Sequence, residues 1–220
     1  MAVTNVQRQR AKEATKMRIL LAAGKEFARK GFDGASLNKI AALAGCSKPL
    51  VYRYFGSKND LYRAVFTYYY SQLSKVELSH QCDIIYTSAD KFLQNLLTDL
   101  FTFHLTHPLF AKLLAWENLA EASHIRPDEV KAAREPGFTK IKDMLLKNVA
   151  AGVIREDLDI NKFVYMLQAL VVVYFMNQYT MRFLTGFDFS SPDIMKDFIA
   201  FYAKVLSQGI SASKEIQGEI

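Results

Sequence analysis

The chain has 220 residues, half of them hydrophobic, with sparse glycine (10) and proline (5) and a formal net charge of +6. That is enough apolar material for one large or two modest folded domains, and it excludes a collagen-like, low-complexity or disordered chain. Two cysteines, Cys46 and Cys82, fall in different predicted elements without metal-ligand spacing, so free thiols are expected rather than a disulfide framework.

The charge is segregated. Residues 1–63 carry 13 Lys and Arg against 4 Asp and Glu, a net +9, whereas residues 64–220 carry 15 against 18, a net −3. The N-terminal part suits a polyanion and the remainder does not. The opening MAVTNVQRQRAKEATK has no apolar run of the secretory kind. The longest apolar stretch, Phe163 to Met176, is interrupted by Gln168 and is shorter than the roughly 18 residues of a membrane span, so it is read as a buried helix. A cytoplasmic protein with no membrane association is expected.

In chain order, residues 1–9 are polar and expected to fray. With Arg8, Arg10 and Lys12 they form either an arm that reaches phosphates or a minor groove, or a solubilising tail. A first helix runs to about Lys30, burying Ile19, Leu20, Ala23 and Phe27, and Gly31 stops it as a C′ residue. Leu37, Ile40, Ala41 and Ala44 recur at helical spacing, Gly45 supplies a permissive turn, and Ser47 is placed to cap a short helix with Pro49 in its first turn. That helix, Lys48 to about Phe55, presents Lys48, Tyr52, Arg53 and Tyr54. Short, basic, aromatic and rich in donors, it has the character of a helix that lies against DNA.

Ser57 with Asp60 three positions on starts the next helix in the manner of a capping box. Lys58 at its first position either joins the first-turn N–H groups in holding a phosphate or is a solvated lysine. This helix continues towards Leu78. From about Asp83 a larger helical body follows. Phe92 to Phe103 make a broad apolar helix that Pro108 breaks, and Phe110 to Trp116 form a short one. The polar EASHIRPDEV is expected to be a loop, and Phe138 to Val149 mark another helix ending near Gly152. Asp159 is placed to cap the most hydrophobic helix, which reaches about Leu184, and Ser191-Pro192 starts the last. Two long apolar helices at this end suggest a two-helix face donated to a four-helix subunit interface, with Phe163, Leu170, Phe198, Phe201, Tyr202 and Val205 as its candidates.

The segment RILLAAGKEFARKGFDGASLNKIAALAGCSKPLVYRYFGSKNDLYRAV, Arg18 to Val65, resembles the DNA-binding head of the TetR family of one-component transcriptional regulators. The helix ending at Phe27, the Gly31 stop, the serine cap, AG-x-S, the Y-R-Y-F block and S-K-x-x-L all occur in register. The resemblance implies an all-α fold, with a three-helix helix-turn-helix head at residues 1–62 and a helical ligand-binding and dimerisation domain at 63–220. It further implies that Ser36 caps the helix lying across the DNA backbone and touches a phosphate. Ser47, Lys48 and Leu50 would face the major groove, Tyr52 and Tyr54 would reach phosphates, and Lys58 would anchor the opposite flank. Pro49 and Leu50 depart from the family's frequent glycine and small polar residue, so direct base readout is expected to be sparse and DNA shape to contribute more.

The implied mechanism is a homodimer on a palindromic double-stranded DNA operator, most plainly a repressor released by a small, largely apolar inducer. Candidate pocket residues are Phe101, Phe103, His104, Phe110, Trp116, Tyr165, Tyr174 and Asn177, joined by Gln178, although an aromatic core explains each of them individually as well. His104 and His107 lie three apart, but Pro108 disturbs that backbone and no carboxylate partner is evident. With no glycine-rich phosphate loop, nucleophile elbow or carboxylate pair, neither an enzyme, a metal nor a cofactor is expected. A nonspecific DNA-packaging protein is the other reading, separable by its indifference to sequence.

Overall fold

The computed structural model describes residues 5–79 and 85–212; Cys82 lies outside them. Nine helices and no strand occur among the described residues: α1 Asn5–Gly34, α2 Leu37–Leu43, α3 Lys48–Phe55, α4 Lys58–Leu78, α5 Ala89–Thr106, α6 Leu109–Leu119, α7 Pro127–Ala150, α8 Ile160–Thr185 and α9 Pro192–Ile210. The all-α expectation holds. Compactness divides the chain at other places than the functional partition at residue 62: one unit comprises residues 1–72 and 107–133, the other 73–106 and 134–220.

In the first unit, Ile19, Ala23 and Phe27 of α1 are fully buried, together with Ile40 of α2, Val51 of α3 and Leu61 and Val65 of α4. These are the apolar positions that helical spacing singles out, and burying each large side chain stabilises the unit by about 1.5–3 kcal/mol relative to exposure. Gly31 breaks α1 with φ 68 and ψ −177, a backbone that favours glycine but is not the αL conformation of a C′ cap, and a Cβ there would lie 2.9 Å from Trp116 Cε3 of α6. The Trp116 indole donates to the Ala28 carbonyl at 3.2 Å, serving an acceptor beside that break. Residues 5–9, within the stretch expected to fray, belong to α1.

The second unit packs α5 against α8 and α9. Asp159 caps α8 as expected, accepting from the Lys162 N–H at 3.1 Å, and Gly186 ends that helix with φ 74. Two expectations need correction. EASHIRPDEV is a loop only as far as Arg126, because Pro127 opens α7: proline at the first helical position sacrifices an N–H that has no partner there, and Asp128 and Glu129 suit the first turn. The helix therefore begins well before Phe138 and runs through Pro136, after which the Gly137 N–H donates to Ser74 Oγ at 2.7 Å.

The reading of α8 as a buried helix also fails. Apolar residues continue beyond Met176 through Met181, Phe183 and Leu184, and by length and composition alone this helix is long and apolar enough to cross a membrane. Only 28% of its most apolar window is buried, and Tyr165, Val173, Phe183 and Leu184 are exposed.

Candidate nucleic-acid interface

The turn between α2 and α3 is made by Gly45, whose φ of 61 an L side chain adopts only with strain, and it is closed by the Cys46 N–H donating to Ala41 O at 3.0 Å. Ser47 then occupies the N-cap of α3 with extended backbone. Its hydroxyl makes no cap hydrogen bond, and neither does that of Ser36 at the N-cap of α2. Both serines hold the cap position by backbone conformation alone, and both are exposed.

Val51 is the residue by which α3 enters the core. Rotating from it around the helix leaves Lys48, Pro49, Tyr52 and Arg53 exposed, with Leu50 and Tyr54 half-buried. Lys48 Nζ lies 5.9 Å from the Tyr52 ring centroid, one helical turn on, so ammonium and phenol occupy one patch.

At the start of α4, Ser57 Oγ accepts from the Asp60 N–H at 3.0 Å and donates to Asp60 Oδ2 at 2.5 Å. The Ser57 hydroxyl, followed by the Arg63 guanidinium, holds the Asp60 carboxyl below the usual carboxylate range. Lys58 is half-buried: its ammonium donates to the Asp33 carbonyl at 3.2 Å and sits 4.9 Å from the Phe32 ring centroid. The side chain is thus fastened to the end of α1.

The sequence reading misses the residues that brace this corner. Buried Glu117 accepts from the backbone N–H groups of His124 at 2.8 Å and Ile125 at 3.2 Å, closing the α6–α7 turn in which Glu121 and Ala122 have φ 53 and 59. The His124 ring stacks on Phe32 with centroids 4.1 Å apart. Arg63 pairs with Asp60 and, at 3.2 Å, with Glu129. An acidic residue in the largely apolar LFAKLLAWENL, whose other polar residues are Lys112 and Asn118, was the available signal.

The candidate pocket residues divide between the two units. Phe110 and Trp116 belong to the first unit, where Trp116 packs on Gly31, while Tyr165 is 75% exposed and Asn177 is exposed. In the second unit Phe101, His104 and Tyr174 are buried around Phe175, with His104 stacked on it at 5.1 Å. Phe103 is buried against the His104 ring. Burial pushes the Tyr174 phenol up to about 12, and its hydroxyl donates to Phe189 O at 3.0 Å. His107 belongs to the first unit and His104 to the second, and the described residues contain no cluster of three metal-ligating side chains.

Of the candidate interface residues, Phe163 is buried in the chain's own core and Leu170, Phe198 and Tyr202 are half-buried, whereas Phe201 and Val205 are exposed. Phe163 and Val205 line one open groove of about 350 Å³, with Met166 and Ile210. Phe198 and Phe201 line another of about 300 Å³, with Phe187, Ile194 and Asp197.

Residues 19–65 match the bacterial regulatory proteins of the tetR family, and residues 90–205 match the tetracyclin repressor-like C-terminal domain. The chain belongs to the TetR family. Among relatives, it is 26% identical over 208 residues to the transcriptional repressor NicS of Pseudomonas putida, covering 94% of this chain and 97% of NicS. A transcriptional repressor of Streptomyces coelicolor is 29% identical over 187 residues, covering 85% of this chain and 92% of its own. The fold matches that of a Streptomyces coelicolor transcriptional regulator, with TM-score 0.68, 21% identity and coverage of 90% and 99%. As a TetR-family member the protein is a helix-turn-helix, DNA-binding regulator of transcription and not an enzyme.

Proposed function

We propose that the protein is a cytoplasmic, ligand-responsive repressor that binds a palindromic operator as a homodimer and is released by a small, largely apolar molecule. The observation that carries this reading is α3, held by Val51 and the Gly45 turn so that Ser47, Lys48, Tyr52 and Arg53 face outward together. Residues 1–62 supply the DNA contacts. Ser47, Lys48 and Leu50 face the major groove from the N-terminal end of α3, while Ser36, Tyr52, Tyr54 and Lys58 serve phosphates and set register.

Self-association is supported by the apolar surface on α8 and α9, where Tyr165, Val173, Phe201 and Val205 are exposed on a chain that needs a partner to cover them. The repressor sign is supported by the two long relatives, both of them repressors. The aromatic group around Phe101, His104 and Tyr174 supports an apolar ligand in the domain of residues 63–220. Such a ligand binds the DNA-incompetent state better, and DNA weakens the ligand by the same factor.

Selection of duplexes from a random pool by the purified protein, followed by titration at fixed salt, tests the reading. The expected result is a two-fold symmetric sequence bound at least about 10³-fold tighter than scrambled DNA. Uniform affinity across the pool refutes it in favour of nonspecific packaging.

A further inference from the structure

We propose that the first turns of α1 form a second DNA-contact surface, a basic stripe that grips the phosphates of duplex flanking the operator. The proposal rests on the DNA-binding reading above. The match to the family's head begins at residue 19, yet α1 begins at Asn5, so residues 5–18 are helix additional to that head. This extension carries Arg8, Arg10, Lys12, Lys16 and Arg18 against a single acid, Glu13, which Gln9 engages at 3.0 Å.

The phase of these charges decides what they are for. Ile19, Ala23 and Phe27, all fully buried, mark the face by which α1 enters the head. Stepping back along the same face by three and then four residues gives Lys16, Lys12 and Arg8, each of them exposed. One face of one helix thus changes from apolar to cationic where the head's core ends. A solubilising tail would place its charges on the outer face, away from the side on which the head lies. Arg10 and Arg18 lie off this stripe. At 1.5 Å per residue the stripe is about 12 Å long, and B-DNA presents one phosphate charge per about 1.7 Å of axis, so three cations held by a preformed helix meet a dense row of anions. Phosphates carry no sequence information, so the stripe adds affinity and length of footprint without altering which operator is chosen.

The test uses the full chain and the triple variant Arg8→Gln, Lys12→Gln, Lys16→Gln, with the enriched duplex from the selection made in two lengths: the palindrome alone, and the palindrome with about one helical turn of arbitrary sequence on each side. On the long duplex the variant's log-affinity against log-salt slope is expected to be shallower by about 2.7 for each engaged arm, a difference of roughly 40-fold per arm over a fourfold range of salt. On the short duplex parent and variant should agree, and both should enrich the same sequence. Equal slopes on the long duplex, with helicity unchanged, overturn the stripe while leaving the regulator reading intact. A pool that yields no enriched sequence overturns both.

Discussion

Arg134→Met breaks a buried ion pair that ties α4 to α7 within the second unit. Glu77 is completely buried, and its carboxylate is met by both terminal nitrogens of Arg134, one of them at 2.7 Å from Oε1, and by Gln168 Nε2 of α8 at 3.3 Å. Methionine keeps most of the side-chain volume and removes the charge, leaving a buried carboxylate with only an amide for company. Removing one partner of such a pair costs about 3–5 kcal/mol, which for a chain of this size lowers the melting temperature by roughly 6–20 °C.

The pH dependence identifies the cause. Burial outweighs Arg134 and Gln168 and holds the Glu77 carboxyl above its ordinary value of 4.5, and without Arg134 it rises further. A carboxyl whose folded pKa exceeds its unfolded one favours the folded state at low pH, and that advantage is lost as pH rises through the folded value. The deficit of Arg134→Met relative to the parent should therefore be largest near pH 8 and shrink towards pH 5, while the double variant Glu77→Gln, Arg134→Met should recover most of it at every pH. Thermal unfolding of the three proteins at four pH values is the assay. A deficit below about 1 kcal/mol, or one that does not vary with pH, refutes the reasoning.

Ser57→Ala removes the cap of α4 and should cost about 1 kcal/mol by chemical denaturation. Because Ser57 is what chiefly lowers the Asp60 pKa below 3.8, the loss is present above that value and fades as pH falls through the folded one. Tyr52→Phe should weaken binding to the selected operator and to scrambled duplex alike by a few fold, in electrophoretic or fluorescence titrations, with thermal stability unchanged; loss confined to the selected operator would move Tyr52 from phosphates to bases. Phe201→Asp, at a 60% exposed position, should leave the monomer folded and shift sedimentation from dimer to monomer. If the parent's mass persisted, the subunit interface would lie elsewhere.

The head was legible because its determinants are local. Gly31, Gly45, Ser57 with Asp60, and the spacing of Ile19, Ala23 and Phe27 each act within one or two helical turns, and the structure places all of them as their local chemistry requires. What was not legible was non-local or depended on direction. Periodicity marks Trp116 and Phe110 as apolar helix positions but cannot say that they pack in a different unit from Phe101 and Tyr174. Nothing in the chain announces that Glu77 meets Arg134 and Gln168, 57 and 91 residues away, or that Glu117 and His124 brace the end of α1 through Phe32. Pro127 misled because its polar segment was read as a loop, although this proline opens α7.

The character of α8 follows from the same distinction. Its composition alone admits a membrane helix, a core helix or an interface helix, and these differ only in what covers the apolar side chains. Exposure on α8 is accompanied by exposure on α9, where Phe201 and Val205 stand beside half-buried Tyr202 and Leu206, so the uncovered surface belongs to a pair of helices rather than to one. A lipid-spanning helix would have no need of a second, amphipathic helix exposed beside it, whereas a two-fold symmetric contact asks each subunit for such a pair. Two heads joined by the proposed contact would bind DNA as one ligand with a high effective concentration. The substitution that disrupts α9 packing should therefore lower operator affinity without touching any residue of α3.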